Sequence, residues 1–173
     1  MKNFKIIVLL VLITSCAPIR VNYDFDKTTD FTQYKTYNYY SDMKTGLSEL
    51  DTKRFLDVLD LQMKAKGFIL SDTPDFFIDI KSSDIQAAQR NTVGFGLGGG
   101  GRNVGGGVSI GIPIGQAGIN RQVTIDFVDE NAKQLFWQAV GEYNFNPNAA
   151  IEKREAQINA IIEKVLTEYP PKK

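Results

Sequence analysis

Apolar and polar residues alternate along the start of the chain, with Ile19, Val21, Tyr23 and Phe25 on one side and Arg20, Asn22 and Asp24 on the other, the pattern of a half-buried strand. A second alternating stretch, Tyr34-Lys35-Thr36-Tyr37-Asn38-Tyr39, is rich in the aromatic and β-branched residues that suit strands. Asp26-Lys27-Thr28-Thr29-Asp30 between them reads as a turn. The period then changes. Over residues 47–66, Leu50, Phe55, Leu56, Leu59 and Met63 trace one stripe, and Asp51, Lys53, Asp57, Lys64 and Lys66 mark a solvated side. This predicts an amphipathic helix stopped by Gly67.

Alternation resumes after Pro74, where Phe76, Ile78 and Ile80 oppose Phe77, Asp79 and Lys81, predicting a central strand with its proline where a strand tolerates one. Residues 122–143 predict a hairpin. Val123, Ile125 and Phe127 lead to a turn at residues 129–133, and Leu135, Trp137 and Ala139 alternate on the return. Trp137 is expected in the core. Ile151, Ile158, Ile161, Ile162, Val165 and Tyr169 stripe a last helix, with Asn146 or Asn148 as its cap and Pro170-Pro171 as its stop. Glu152, Lys153, Arg154 and Glu155 read as its solvated first turn. The predicted fold is α+β: a two-layer sandwich with an antiparallel or mixed sheet of four to six strands and two amphipathic helices on one face.

One segment resists this pattern. Residues 94–118 hold 12 of the 15 glycines, and no charged residue lies between Arg102 and Arg121. Gly94, Gly96 and Gly99 have the spacing of a dinucleotide fingerprint, but further glycines follow where that motif needs a helix, and no P-loop lysine appears. A long hairpin is expected instead, whose return strand is short on side chains and contains Pro113, both features of an edge. Val108, Ile110, Ile112 and Ile114 make this uncharged strand the candidate interaction surface for another chain or a lipid.

Composition removes whole classes of chemistry. Twenty Lys plus Arg balance twenty Asp plus Glu, so no broad positive field for nucleic acid is implied. With no histidine and one cysteine, the chain has no His general base, Cys–His pair, Cys/His zinc site or internal disulfide. Asp24, Asp26 and Asp30 have the look of a calcium loop, but Thr29 and Lys35 stand where that loop needs a glycine and an acid. No metal, nucleotide or other cofactor is expected.

The first 15 residues read as an export signal: Lys2 and Lys5 precede an eight-residue apolar run, Ile6 to Ile13, far short of the ~20 residues that span a bilayer. Ile13-Thr14-Ser15-Cys16 then resembles the lipobox of bacterial lipoproteins, and implies a diacylglyceryl thioether on Cys16 before cleavage. Residues 16–18 are expected to be the acylated cysteine and a short tether, and residues 19–170 a single domain with a glycine-rich insert. Two buried acyl chains suffice for stable anchoring. Ala17 rather than Asp after the cysteine implies, by analogy with lipoproteins generally, an outer-membrane location facing the periplasm.

Further pieces follow one another along the chain: Tyr23-Asp24-Phe25-Asp26, Asp30-Phe31-Thr32-Gln33-Tyr34-Lys35-Thr36-Tyr37, Lys66-Gly67-Phe68, Pro74-Asp75, Gly111-Ile112-Pro113-Ile114-Gly115, Ile125-Asp126-Phe127-Val128-Asp129, Leu135-Phe136-Trp137, Glu152-Lys153-Arg154-Glu155 and Tyr169-Pro170-Pro171. That order resembles the bacterial lipoproteins of domain of unknown function 4136. The resemblance implies a small envelope lipoprotein of mixed helix and sheet, and supplies no activity, cofactor or catalytic residue. These residues are mostly turn, cap and core positions, which point to a shared fold rather than a shared reaction. The functional expectation is a non-catalytic envelope lipoprotein, membrane-bound through its lipid, that binds a partner protein or envelope component. A carrier of a small hydrophobic ligand and a carboxylate-based hydrolase are the alternatives.

Overall fold

The computed structural model of the chain describes residues 19–86, 92–95, 110–113 and 119–171. In chain order the elements are β1 (Arg20–Phe25), β2 (Thr36–Tyr39), α1 (Glu49–Ala65), β3 (Ile69–Leu70), β4 (Phe76–Gln86), β5 (Thr92–Phe95), β6 (Ile110–Pro113), β7 (Ile119–Asp129), β8 (Leu135–Phe145) and α2 (Ile151–Leu166). Six strands form one mixed sheet in the order β1-β8-β7-β4-β2-β3, and β5 pairs with β6 in a separate two-stranded ribbon. The expected α+β sandwich is therefore present, with a mixed sheet at the upper end of the expected strand number. Neighbours from β1 to β4 in that order are antiparallel, while β2 runs parallel to both β3 and β4. Parallel pairing needs a long crossover, and α1 provides it.

Local chemistry sets the element ends. Ser48 caps α1 by accepting from the Asp51 amide at 3.2 Å, with Glu49 and Asp51 in the first turn favouring its positive end. Gly67 follows α1 at φ 90°, the left-handed region where glycine costs least. The Asp30 carboxylate accepts from the Thr32 amide at 3.0 Å and starts the 3₁₀ turn Phe31–Gln33. That turn shortens the second predicted strand to Thr36–Tyr39, although Tyr34 is still buried.

Both helices lie on the face of the sheet that carries Ile78, Ile80, Val123, Ile125, Phe127 and Ala139, all fully buried. The fit is tight at Gly141, where a Cβ would come within 2.5 Å of Ile161 Cδ1. Aromatic rings fill the far end of this layer. Phe127 lies 4.6 Å from Trp137, 4.7 Å from Tyr169 and 4.9 Å from Phe76 between ring centroids, and Tyr34 stacks on Phe136 at 4.1 Å.

Several expectations are corrected. A register shift between β7 and β8 at Phe127/Val128 puts two successive residues, Phe136 and Trp137, into the core and leaves Leu135 outside, as a bulge does. Leu50 and Ile151 lie on the exposed sides of their helices, because each sits in a first turn beyond the part that packs on the sheet. Asp51 is buried instead of solvated. Neither asparagine caps α2: Asn146 Oδ1 accepts from the Asn148 amide at 2.9 Å, and Ala150 holds the cap position without a side-chain bond.

Trp137 is fully buried, as expected, and contributes packing alone, since its indole N–H has no partner among the described residues. Trp137→Ala is expected to cost about 3–5 kcal/mol in denaturant unfolding. A loss below about 1 kcal/mol is the size of a surface substitution and would contradict this placement.

Candidate functional site at the ribbon end of the sheet

The register brings distant parts of the chain to one end. Gln86, the last residue of β4, pairs with Ile119, the first of β7, and Ile119 pairs with Phe145, the last of β8. Arg20, where β1 begins, pairs with Glu142. The chain thus enters the sheet, leaves it for the ribbon, returns from the ribbon and departs for α2 at the same end. In the ribbon Phe95 pairs with Ile110 and Val93 with Ile112. Of the four candidate interaction residues, Ile110 and Ile112 therefore lie on β6, while Val108 and Ile114 fall outside the described residues, as does Cys16.

At this end of the sheet the helix-covered layer becomes charged. Arg121 on β7 reaches across the strand pair to Asp84 with two bonds, Nε to Oδ1 at 2.6 Å and Nη2 to Oδ2 at 3.0 Å. Its guanidinium also lies 3.5 Å above the Phe145 ring, a cation–π contact. That hydrogen bond holds the Asp84 carboxyl below its ordinary range against the opposing effect of burial. Asp51, 4% exposed, accepts from Arg54 Nη1 at 2.9 Å and from Arg154 Nη1 at 3.1 Å. Arg54 Nε in turn donates to Glu155 at 3.2 Å. Arg154 and Glu155, expected as a solvated turn, instead tie the start of α2 to the start of α1.

A cavity of about 10 Å³ opens among Leu47, Asp51, Arg121, Tyr143, Arg154 and Gln157, room for about one water. Small-molecule pockets are of order 300–1,000 Å³, so this space between the layers suits neither a lipid nor a sugar.

Other carboxylates of the described residues are engaged in local structure. Asp26 accepts from the Thr28 amide and hydroxyl at 2.8 and 2.7 Å. Asp75 accepts from the Lys35 and Thr36 amides, each at 2.8 Å, and thereby stitches β2 to the start of β4. Asp79 pairs with Lys81 at 2.6 Å, and Asp126 accepts from Gln138 at 2.7 Å, both on the sheet face opposite the helices. Asp60, not anticipated as a partner, accepts from the Tyr37 and Tyr39 hydroxyls at 2.8 and 2.6 Å. Burial and the Asp129 carboxylate push the Tyr34 phenol up to about 12. Among the described residues no group of three or more Cys, Asp or Glu is arranged to hold a metal ion, and no helix is long and apolar enough to cross a membrane. Gly94 of the fingerprint-like spacing lies within strand β5.

The chain belongs to the family described as Domain of unknown function (DUF4136), which it matches over residues 21–171. Among solved structures it is similar to a PDZ domain protein from Parabacteroides distasonis, with 12% identity and a TM-score of 0.56 over 96% of this chain and 39% of that one. It is also similar to a PelC dodecamer from Paraburkholderia phytofirmans, with 10% identity and a TM-score of 0.53 over 90% of this chain and 100% of that one. The chain thus spans well under half the length of the PDZ domain protein, and at these identities the likeness is one of fold. No curated protein matches the sequence.

The Asp84–Arg121 pair predicts a pH signature. A carboxyl lowered in the folded state contributes stability that is present above its unfolded value of about 3.9 and lost as pH falls through the folded value. Asp84→Asn should therefore melt below wild type at pH 7, with the difference closing as pH drops below about 4. A melting-temperature gap that stays constant from neutral pH down to that acid range would contradict the pairing.

Proposed function

We propose that this DUF4136 protein is a non-catalytic cell-envelope lipoprotein, acylated at Cys16 and held at the outer membrane facing the periplasm, where it binds a partner protein or envelope component. The observation that carries this reading is Ile13-Thr14-Ser15-Cys16, with the chain's one cysteine four residues before the first strand. So short a tether keeps the domain against the membrane once two acyl chains are buried, each methylene contributing about 0.8 kcal/mol. The non-catalytic part is supported by the acids, which are engaged with backbone amides, hydroxyls, an amide side chain and cations. A carboxylate hydrolase instead needs two carboxyls about 5–9.5 Å apart in a cleft. The carrier alternative has less support, because the cavity between the layers among the described residues takes a water and not an acyl chain.

Metabolic labelling with palmitate tests the anchor: wild type should incorporate label and Cys16→Ser should not, and label retained in Cys16→Ser would contradict it. A hydrolase screen, run beside Ala replacements of Asp24, Asp26, Asp75, Asp79 and Asp126, tests the absence of catalysis. No turnover is expected. Turnover abolished by one replacement at an unchanged melting temperature would make the protein an enzyme.

A further inference from the structure

We propose that the β5–β6 ribbon is a second, interfacial contact with the bilayer, lying on the same membrane that the lipid anchor enters. The inference rests on the lipoprotein reading for its direction and on the topology for its geometry. β4 and β7 are each 11 residues long, which at 3.3–3.4 Å per residue makes the paired strands about 35 Å long, so the two ends of the sheet are well separated. Cys16 is four residues from Arg20 and so lies within about 14 Å of it. Arg20 pairs three positions from the end of β8. The lipid is thus bound to the end of the sheet where Gln86 and Ile119 pair. Thr92 is six positions from Gln86, and Ile119 six from Pro113, a reach of about 20 Å at most. Thr92 and Pro113, where the ribbon begins and ends, are thereby tethered to the membrane end of the sheet.

Its composition suits the headgroup boundary. Over residues 85–120 there is no Asp or Glu, and the only charged residues are Arg90 and Arg102, so entering the interface desolvates no carboxylate and brings only cations, which anionic headgroups attract. Val93, Phe95, Ile110 and Ile112 occupy the two cross-strand pairs that alternate with Thr92–Pro113 and Gly94–Gly111, concentrating the ribbon's large apolar residues in one set of positions. Four-residue strands are too short to cross a bilayer, which takes about 9–11 residues per strand. An open ribbon also leaves edge amides that hydrocarbon does not satisfy. The ribbon therefore lies in the interface, where apolar burial adds to the hold of the acyl chains.

The test uses the full acylated chain. Acylation blocks the thiol of Cys16, so Ile112→Cys or Asn131→Cys provides one labelling site, the second on the β7–β8 turn at the opposite end. Each variant is labelled with an environment-sensitive fluorophore and reconstituted in phosphatidylethanolamine–phosphatidylglycerol vesicles containing doxyl lipid. Emission at position 112 should fall about twofold while that at 131 stays unchanged, as interfacial burial of one end requires. Position 112 unquenched by doxyl lipid but open to aqueous iodide, shielded from both quenchers as in self-association, or quenched equally with 131, would each overturn the proposal. Intact mass, measured before reconstitution, reports acylation separately. An acylated protein with an unquenched 112 probe overturns the ribbon contact while leaving the lipoprotein reading standing, and an unacylated chain overturns that reading while the contrast between the two probes on added vesicles, measured with Cys16→Ser so that each variant keeps one thiol, still decides the ribbon.

Discussion

The close packing of aromatic rings around Phe127 is the constraint on which the rest of the domain depends. Phe76 from β4, Phe136 and Trp137 from β8, and Tyr169 beyond α2 all lie within 6.2 Å of it between centroids. Tyr34 and Phe31, from the loop after β1, close over Phe136. Such pairs add about 0.5–1.5 kcal/mol each beyond area burial, and here they join segments far apart in the chain. Tyr169 reaches this cluster only if α2 lies along the sheet at the depth that Gly141 permits, with the Tyr23 hydroxyl donating to the Lys164 carbonyl at 2.6 Å. The bulge in β8 serves the same packing, since without it Phe136 and Trp137 would face opposite sides.

The two ends of the layer consequently differ in kind. The ring-filled end is apolar and closes with the β7–β8 turn. The other end is held by Asp51, Arg54, Arg154, Asp84 and Arg121, with a cavity of about 10 Å³ among them. Charge pairs suit a boundary that is half in water, where their desolvation cost is smaller than in a core. From this end the β4–β7 pair opens into the ribbon, so an addition with few large side chains leaves the rings undisturbed. The sheet face opposite the helices, with Asp79, Lys81, Asp126 and Gln138 in contact, shows the polar half of the alternation that the strands require.

Periodicity makes most of this fold legible in the sequence. The strands starting at Arg20 and Phe76, the hairpin around the turn at residues 129–133, both helices, and the stripe from Ile158 to Tyr169 follow from apolar spacing alone. What spacing does not carry is contact between elements. Asp51 falls on the polar side of a helical wheel, yet Arg154, 103 residues later, buries it. Asp84 and Arg121 are 37 residues apart, and only the β4–β7 register makes them neighbours. The bulge escapes notice because Leu135, Trp137 and Ala139 alternate as an unbroken strand would. Leu50 and Ile151 mislead because a stripe continues past the length of helix that packs. The two-residue strand β3 is too short for any period to reveal. A hairpin with its return strand near Ile110–Pro113 is legible from the glycine-flanked apolar residues, whereas the outgoing strand Thr92–Phe95, its register and its relation to the end where the chain enters the sheet need the topology.

The central claim is that the aromatic layer holds the fold while the ribbon is free to make contacts. Its most direct measurement is the melting temperature of a chain in which residues 87–118 are replaced by a short turn joining Gln86 to Ile119. Glycine ordering is entropically costly and buries little apolar area, so the account predicts a melting temperature within about 4 °C of wild type, the shift that roughly 1 kcal/mol produces in a domain of this size. A larger fall would show that the ribbon helps to hold the sheet together and would contradict the account.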